Sequence, residues 1–384
     1  MSIMRSENKT VLIVTSHFPP NIGGVESHLH ALVTELIKHS WKAIISTYQP
    51  LASKRNAEIV ERQSKLIIYR MPWLGFNIVH KLTPYPALEF LYLFPGLLIV
   101  TLLALLKHNK EIKVIHCQGL VPTTVGIVVR FFFPKRLIAS IHNLYFFPQK
   151  GLYRIFARLI FSAADLTLVP TEFSGQELKS IGVPREKIGR FRYWIDLKYF
   201  SPVNKNKAKR KLGWKKFTVF FVGRLIETKG VGSILKVIKN LNSQIQVVIA
   251  GDGPMRSEVQ KATEIYSNLF YLGRVEDKLL HTCYSSADLV LMPSLVDEGF
   301  GFVVMEAVSC GTPVLASNKG GLSEAVSAIT GVLIRPDSRV VKESIEYLFN
   351  NKKELAKLTR NTRRYALANF SNSNIEDIIR AYEG

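Results

Sequence analysis

Short apolar runs alternate with helix-period segments along this chain, and the alternation occurs in two separate series. The candidate strands of the first series are residues 11–15, 43–47, 66–71, 114–117, 137–142 and 166–169. Those of the second series are residues 217–222, 246–250, 269–272, 289–292 and 313–317. Continuously apolar strands separated by helices are typical of parallel sheets covered on both faces. The sequence therefore predicts an α/β protein with two parallel-sheet domains.

The segment between the two series marks the predicted domain boundary. A chain of 384 residues is longer than a single core usually supports. Residues 202–216 contain seven Lys or Arg and no long apolar run. We interpret this stretch as a solvated helix face, with membrane contact as the alternative. The first domain is predicted to span residues 1–195 and the second residues 196–369.

The net charge of +21 calls for a polyanionic partner or surface, and the excess of cations is shared by both halves. Nucleic acid, an anionic membrane surface and diphosphate substrates all satisfy that requirement. No recognised nucleic-acid-binding module or aromatic-basic stripe is present, so nucleic acid is not expected as a partner.

The cysteines and the N-terminal residues bear on the compartment. Cys117, Cys283 and Cys310 are widely spaced, which argues against a disulfide framework or a zinc cluster and suits a reducing compartment. The first apolar run, residues 11–14, is too short for a signal peptide. A cytoplasmic protein is therefore expected.

Residues 90–106 form a run of seventeen residues without a charge, at the lower edge of what spans a bilayer. Pro95 and Gly96 interrupt the run, and several lysines follow it. We favour a buried helix packed on a parallel sheet. Membrane-surface contact by part of the helix and a true membrane span are the alternatives.

The strongest chemical signal is the segment 293–313, in which a glycine-bearing loop leads from a strand into a helix that begins near Phe302. The free N–H groups at such a helix start favour an anion. A carboxylate can accept two hydrogen bonds from a ribose or hexose diol. Glu306 therefore suits a nucleotide ribose and Glu298 a transferred sugar, whereas the alternative is an acidic loop with a surface glutamate. The candidate donor-binding residues of this segment are Glu298, Gly299, Phe300, Gly301, Phe302, Val303 and Glu306.

Arg224 and Lys229 lie on the loop that follows the strand at 217–222 and can clamp a diphosphate. Fixed cations stabilise a leaving diphosphate more in the transition state than in the ground state. Ordinary surface charge is the alternative for this pair. Gly223 opens the same loop, and Gly253 lies in a turn after the next strand that we expect to shape the wall against the base.

In the first half, Gly23 and Gly24 place bare backbone at a helix start, where they are candidate donor-binding residues. His116 and His142 lie at the ends of two strands of that domain. We interpret His142 as functional, either donating a hydrogen bond to the sugar or forming part of the acceptor wall. A structural histidine and a simple helix-entry turn are the alternatives.

Taken together, these positions resemble glycosyltransferase family 4, whose members are retaining enzymes of the two-Rossmann-domain GT-B fold. The matching positions run in family order over essentially the whole chain and are Gly23–Gly24, His142, Gly223–Arg224, Lys229, Gly251–Pro254, Glu298, Glu306, Cys310–Pro313 and Gly320–Gly321. The resemblance implies two Rossmann-like domains facing across a cleft, the first binding the acceptor and the second a UDP- or GDP-sugar donor. It also implies that the segment 370–384 is a terminal helix that crosses back to the first domain.

The resemblance implies roles for single residues. Arg224 and Lys229 would bind the donor pyrophosphate, and Glu306 the ribose hydroxyls. Glu298 and the amides of residues 299–301 would hold the donor sugar, with His142 near its 6-hydroxyl. Residues 192–196 read Arg-Tyr-Trp-Ile-Asp where relatives often carry Pro-Asn-Gly-Val-Asp, so no donor contact is assigned there.

The predicted chemistry is transfer of a hexose to an acceptor hydroxyl by front-face substitution. No Asp-x-Asp occurs, so no metal and no other cofactor is expected. The apolar run 90–106, the Phe-Phe-Phe-Pro-Lys-Arg patch at 131–136 and the basic first domain favour a lipid-linked or membrane-held acceptor, hence a peripheral position at the cytoplasmic face of a membrane. A sugar-nucleotide epimerase or a sugar-phosphate synthase of the same fold is the alternative.

Overall fold

A computed structural model describes residues 9–21, 23–51, 57–75, 78–82, 84–142, 144–145, 147–148 and 150–384, apart from the side chains of His80 and Asp277. The chain divides into two compact units. Unit 1 comprises the residues up to Tyr193 together with Ser373–Gly384, and unit 2 comprises Trp194–Asn372. The divisions lie two or three residues from the boundaries expected from the sequence.

Unit 1 contains an eight-stranded sheet with the order β3-β4-β2-β1-β5-β6-β7-β8. Its strands are β1 Thr10–Val14, β2 Lys42–Tyr48, β3 Val60–Gln63, β4 Leu66–Met71, β5 Val114–Gln118, β6 Arg136–Ser140, β7 Leu166–Val169 and β8 Ile188–Arg190. Its first six helices are α1 Gly24–Lys38, α2 Ile78–Leu82, α3 Pro86–His108, α4 Leu120–Arg130, α5 Leu152–Ala163 and α6 Glu172–Ser180. All neighbouring strands are parallel except β3 and β4, which pair antiparallel at the edge.

The helices of unit 1 cover both faces of its sheet. The chain passes from β4 to β5, from β5 to β6 and from β6 to β7 in the same direction across the sheet. Because parallel crossovers are right-handed, α3, α4 and α5 lie on one face, and α1, which joins β1 to β2 in the opposite direction, lies on the other. Strand β1 is consequently buried at all of its residues.

Unit 2 contains a six-stranded sheet with the order β11-β10-β9-β12-β13-β14, and every neighbouring pair is parallel. Its strands are β9 Phe217–Val222, β10 Ile245–Ala250, β11 Leu269–Tyr271, β12 Leu289–Met292, β13 Val314–Ser317 and β14 Gly331–Ile334. Its helices are α7 Lys205–Leu212, α8 Val231–Ile238, α9 Arg256–Ile265, α10 Asp277–Ser286, α11 Phe302–Ser309, α12 Leu322–Ala325, α13 Ser338–Asn350 and α14 Lys352–Asn369. The strand order reverses between β9 and β12, and ligands of open α/β sheets bind beyond the carboxyl ends of the strands at such a point.

The predicted α/β class with two parallel-sheet domains is confirmed. All eleven predicted strands are present, and each end lies within two residues of the predicted one. Strands β3, β8 and β14 were not predicted. Strand β3 reads Val-Glu-Arg-Gln and is mostly exposed, β8 has only three residues, and β14 is a four-residue run that begins with glycine. Short strands at sheet edges carry little of the continuous apolar pattern.

Helix α3 extends the apolar run 90–106 in both directions and includes Pro95. It is the one described helix that is long and apolar enough to cross a bilayer, and 39% of its most apolar 18-residue window is buried in the protein. Leu97, Ala104 and Leu105 are fully buried in the core of unit 1. The favoured interpretation of a helix packed on the sheet therefore holds for one face, and the other face is exposed.

The terminal segment belongs to unit 1. Helix α15, Ile375–Glu383, packs beside α1, and the Tyr382 hydroxyl lies 2.7 Å from Nδ1 of His116 in β5. Arg136 Nε donates to the Ala381 carbonyl at 2.9 Å. Ser140 Oγ lies 2.7 Å from Nε2 of the same histidine. His116 is thus held on both ring nitrogens and anchors the last helix to the sheet.

Candidate functional site

The site of unit 2 is built on the loops that follow β9 and β12, at the reversal of strand order. Lys229 lies on a single 3-10 turn between β9 and α8, and Glu298 lies on the loop between β12 and α11. The Lys229 ammonium donates to both carboxylate oxygens of Glu298, at 2.5 and 2.6 Å. The Ser294 hydroxyl donates to Oε1 of the same carboxylate at 2.5 Å. The cation predicted for the diphosphate and the carboxylate predicted for the transferred sugar are therefore in direct contact.

Backbone contacts hold these two loops together. The Leu295 amide donates to the Thr228 carbonyl at 2.8 Å. Gly230 has φ +78°, and a Cβ atom at this residue would lie 2.0 Å from the carbonyl oxygen of Pro293. Any larger residue would therefore push the loops apart as well as strain its own backbone. The glycine after Lys229 sets the approach of the lysine to Glu298.

The Gly320–Gly321 pair fixes the backbone of Glu298. The Gly321 amide donates to the Glu298 carbonyl at 2.7 Å, and Gly320 forms an isolated parallel bridge with Glu298. Gly320 has φ +53°, and a Cβ atom there would lie 2.7 Å from that same carbonyl oxygen. These two glycines serve the site by positioning its acidic residue.

Glu306 lies on α11, which begins at Phe302 as predicted, with Gly301 as its N-cap and no side-chain cap. The buried Tyr284 hydroxyl donates a hydrogen bond to Oε2 of Glu306. Burial and the Glu306 carboxylate together raise the pKa of Tyr284 well above its usual range. Tyr284 thus remains a hydrogen-bond donor that orients the Glu306 carboxylate, while the exposed part of the side chain can accept from a ligand.

The remaining donor-binding candidates of this segment are all partly exposed, and they lie on the loop before α11 and on its first turn. They are Gly299, Phe300, Gly301, Phe302 and Val303. Backbone amides and the helix dipole at a helix N-terminus favour an anion or a hydroxyl, and α11 begins at this loop.

Arg224 is exposed on the same loop as Lys229, two residues after β9. Within the described part of the chain its guanidinium makes no hydrogen bond or ion pair. Gly223, which precedes it, hydrogen-bonds through its amide to the Ala250 carbonyl at 3.1 Å. Gly253 lies against the backbone of Leu225, where a Cβ atom would be 2.6 Å from the Leu225 carbonyl oxygen. Gly253 therefore supports the loop that carries Arg224.

In unit 1, His142 follows β6 by two residues and has partners on both ring nitrogens. Nε2 lies 2.6 Å from Oε1 of Gln118, and Nδ1 lies 2.7 Å from the Tyr193 hydroxyl. An amide oxygen only accepts, so Nε2 carries the proton and Tyr193 donates to Nδ1. Burial lowers the pKa of His142 to about 4, so the ring is neutral at pH 7.

The other predicted residues of unit 1 lie at the start of α1. Gly23 is the N-cap of this helix and Gly24 its first residue. A Cβ atom at Gly23 would lie 2.3 Å from Oε2 of Glu26, so the Glu26 carboxylate folds back over the helix entry. His28, on the same helix, contacts the rings of His142 and Tyr193. The start of α1 and His142 are thereby linked within unit 1.

Several residues that hold the candidate side chains within each unit were not predicted. They are Ser294, Tyr284, Gln118 and Tyr193. Gln118 directly follows the strand predicted at 114–117, which was a usable signal. Tyr193 lies in the stretch that departs from the family pattern, and nothing local to Tyr284 or Ser294 marks a contact with a glutamate.

Two family models match the chain in succession. The model described as Glycosyltransferase Family 4 matches residues 22–199, and the model described as Glycosyl transferases group 1 matches residues 203–365. The chain belongs to glycosyltransferase family 4. It is a glycosyltransferase, as the loops of unit 2 suggested.

Known relatives agree with this assignment. The chain is 25% identical to the GDP-mannose-dependent monoacylated alpha-(1-6)-phosphatidylinositol monomannoside mannosyltransferase of Corynebacterium glutamicum, over 86% of this chain and 85% of that protein. It is also 25% identical to a phosphatidylinositol N-acetylglucosaminyltransferase component of Arabidopsis thaliana, over 88% of this chain and 73% of that protein. Sucrose-phosphate synthase from Thermosynechococcus elongatus superposes with a TM-score of 0.82 at 20% identity, over 98% of both chains. The family 4 glycosyltransferase therefore has the GT-B fold that its sequence predicts.

Proposed function

We propose that this family 4 glycosyltransferase transfers a hexose, with retention of anomeric configuration, from a UDP- or GDP-sugar to a hydroxyl of a lipid-linked or membrane-held acceptor. The observation that carries the proposal is the contact of Lys229 with Glu298 at the strand-order reversal of unit 2. A cation for a diphosphate and a carboxylate for sugar hydroxyls are there within hydrogen-bond distance of one another. The GDP-mannose dependence of the corynebacterial relative supports the choice of donor class.

The donor is held by groups from three segments of unit 2. Arg224 and Lys229 bind the diphosphate, and the amides at the start of α11 add further donors. Glu306, oriented by Tyr284, accepts hydrogen bonds from the ribose hydroxyls. A bound diphosphate competes with Glu298 for the Lys229 ammonium. Once the ammonium interacts with the diphosphate, the Glu298 oxygens are more available to accept hydrogen bonds from the transferred sugar.

In the transfer step, the bond between the anomeric carbon and the diphosphate oxygen breaks as the acceptor oxygen bonds to the same face of that carbon. The acceptor proton passes to the departing phosphate oxygen, so the products are the glycoside and the nucleoside diphosphate. Negative charge grows on the diphosphate as the bond breaks. Arg224 and Lys229 stabilise that charge, which is why no divalent metal ion is required.

His142 presents a neutral ring in unit 1. Its single N–H is directed at Gln118, and its other nitrogen accepts from Tyr193. We propose that a sugar hydroxyl replaces Gln118 as the partner of this N–H. A neutral imidazole suits such a hydrogen bond because it adds no charge beside the reacting sugar.

The lipid character of the acceptor is supported by the lipid substrates named for both relatives. It is also supported by the exposed apolar face of α3 and by the exposed Phe131 and Phe132. We place the enzyme at the cytoplasmic face of a membrane, because nucleotide sugars and free cysteines suit that compartment.

The test is the substitution Arg224→Gln, with Lys239→Gln as the matched control. Lys239 is another exposed cation of unit 2, which follows α8 and lies away from the loops of the site. Release of nucleoside diphosphate is measured with a panel of nucleotide sugars and a lipid extract as acceptor, in the presence of a chelator. We expect Arg224→Gln to lower kcat/KM at least tenfold and Lys239→Gln to leave it unchanged.

Equal activity of the two variants would contradict the diphosphate clamp. Loss of activity on chelation would contradict metal independence. Nuclear magnetic resonance of the first-formed product reports the anomeric configuration, and inversion would exclude the front-face step. Epimerised product that forms without any acceptor would favour an epimerase, and turnover with a sugar phosphate but not with the lipid extract would favour a synthase.

A further inference from the structure

The outward face of α3 is apolar from Leu88 to Leu106. Over this stretch the exposed residues recur at intervals of three or four, so they lie on one face of the helix. They are Leu88, Leu91, Pro95, Ile99, Leu103 and Leu106. Leu91 is 67% exposed and Leu106 is 71% exposed. The opposite face packs on the sheet, so this stripe occupies the positions where a water-facing helix carries polar residues.

Neighbouring elements extend this surface. Helices α3, α4 and α5 lie on the same face of the sheet, and the rings of Phe90 and Phe156 join α3 to α5 at a centroid distance of 5.4 Å. Immediately after α4, Phe131 and Phe132 are 83% and 73% exposed. The exposed apolar residues of α5 are Leu152, Ile155 and Leu159. A contiguous apolar surface of this extent marks a binding surface, because soluble monomers rarely expose one.

Cations border this surface where the ends of α3 and α4 meet. A shallow depression there is lined by residues 110–113 and 134–136, which include Lys110, Lys113, Lys135 and Arg136. Lys135 Nζ donates to the Asn109 carbonyl just after α3 at 2.8 Å, which ties the two helix ends together. The cations are thus within a few residues of Leu106, Phe131 and Phe132 in the chain.

We propose that unit 1 docks on an anionic membrane through this surface, with Leu106, Phe131 and Phe132 inserted at the level of the headgroups and Lys110 and Lys135 on lipid phosphates. Insertion of apolar side chains beside cations is the combination by which monotopic proteins bind anionic bilayers. The inference deepens the proposed function, since it names the surface that meets the membrane of the acceptor.

Helix α7 provides a contrast within the same chain. It carries Lys207, Arg210 and Lys211 on exposed positions, so it presents a cluster of cations, as the α3–α4 border does. Its residues include no exposed large apolar side chain. A helix of this kind attracts anions without inserting, which makes it the matched control for charge.

The experiment is vesicle flotation of the full chain, which requires no turnover. The probes are vesicles of phosphatidylcholine alone and of phosphatidylcholine with phosphatidylglycerol. The variants are Phe131→Ser/Phe132→Ser, Lys110→Gln/Lys135→Gln and, as control, Lys207→Gln/Lys211→Gln. We expect wild type to float with the anionic vesicles and the phenylalanine variant to partition at least tenfold more weakly. The Lys110/Lys135 variant should lose roughly fivefold for each charge removed, and the control less than twofold in total.

Three results would overturn the inference. Wild type that stays with the soluble fraction would exclude membrane docking. A phenylalanine variant that floats like wild type would show adsorption by charge without insertion. If neither wild type nor the phenylalanine variant floats but both bind to heparin resin, the cations would be assigned to a soluble polyanion. Circular dichroism of each variant shows whether it is folded. A negative flotation result would leave the proposed function intact, because that function is tested separately by the effect of Arg224→Gln on release of nucleoside diphosphate.

Discussion

The contact between Lys229 and Glu298 can be tested as a structural pair and as a donor clamp in one set of variants. In Lys229→Met, the Glu298 carboxylate, which is 13% exposed, keeps only the Ser294 hydroxyl as a side-chain donor among the described residues. Removing one partner of a fully buried pair costs about 3–5 kcal/mol. Lys229 itself is 33% exposed, so water reaches the site and reduces the cost to about 1–2 kcal/mol. The melting temperature of unit 2 should fall by roughly 2–8 °C.

The double variant Lys229→Met/Glu298→Gln removes both charges and leaves no unpaired ion. Its unfolding free energy should return to within about 1 kcal/mol of wild type, since replacing a whole ion pair is often neutral. Its kcat/KM should stay at least tenfold low, because the cation on the leaving diphosphate is still absent, and a tenfold loss is about 1.4 kcal/mol of transition-state stabilisation. Urea unfolding measures the first quantity, and release of nucleoside diphosphate measures the second.

The pair Lys342 and Glu346 on α13 is the matched control, since its side chains are 30% and 25% exposed and meet at 2.7 Å. Its neutralisation should cost no more than about 0.5 kcal/mol and leave turnover unchanged. If the Lys229/Glu298 double variant regained turnover together with stability, Lys229 would serve only to neutralise Glu298. The assignment of Lys229 to the diphosphate would then be wrong.

Two further predictions follow from buried histidines and from a crowded glycine. Burial lowers the pKa of His116 to about 3 and of His142 to about 4. The unfolded chain binds these protons near pH 6.5, so the unfolding free energy should fall as the pH decreases from about 6.5 to about 4, by about 1.4 kcal/mol per pH unit for each histidine. A urea midpoint that is flat between about pH 7 and about pH 5 would contradict this. Gly230→Ala should lower the free energy of unfolding by at least about 2 kcal/mol and should lower turnover, because its Cβ would meet the Pro293 carbonyl. Gly213 has a similar φ of +72° and no atom within 4 Å of a Cβ, so Gly213→Ala should lower the free energy of unfolding by only about 1 kcal/mol. Equal urea midpoints for the two variants would refute the crowding by Pro293.

The central strands could be predicted because each is a short, continuously apolar run, and a strand buried on both faces leaves that mark in its own residues. The loops that carry Arg224, Lys229 and Glu298 could be predicted for a related reason. They follow such strands, and the carboxyl ends of parallel strands share one edge of the sheet. Local pattern therefore identified the loops of the candidate site.

The partners of these residues could not be predicted, because they come from distant parts of the chain. Tyr284 lies near the end of a helix with no acidic neighbour in sequence and still donates to Glu306. Gly320 lies just before the short helix α12 and also forms a bridge with Glu298, a contact that nothing near Gly320 in the sequence marks. Contacts of this kind are set by the order of strands in the sheet, which a single sequence does not encode locally.

Helix α3 shows the same limit in a form that bears on function. A helix that is apolar on all sides has one composition whether it is enclosed in a core or faces water or lipid on one side. Only the strand order decides, since it places α3, α4 and α5 in one layer on a single face of the sheet of unit 1. The inward residues of α3 pack on the sheet, whereas the outward stripe from Leu88 to Leu106 stays exposed among the described residues. An apolar stripe retained on that side, beside Lys110 and Lys135, is what a membrane-docking surface requires and what a core helix does not.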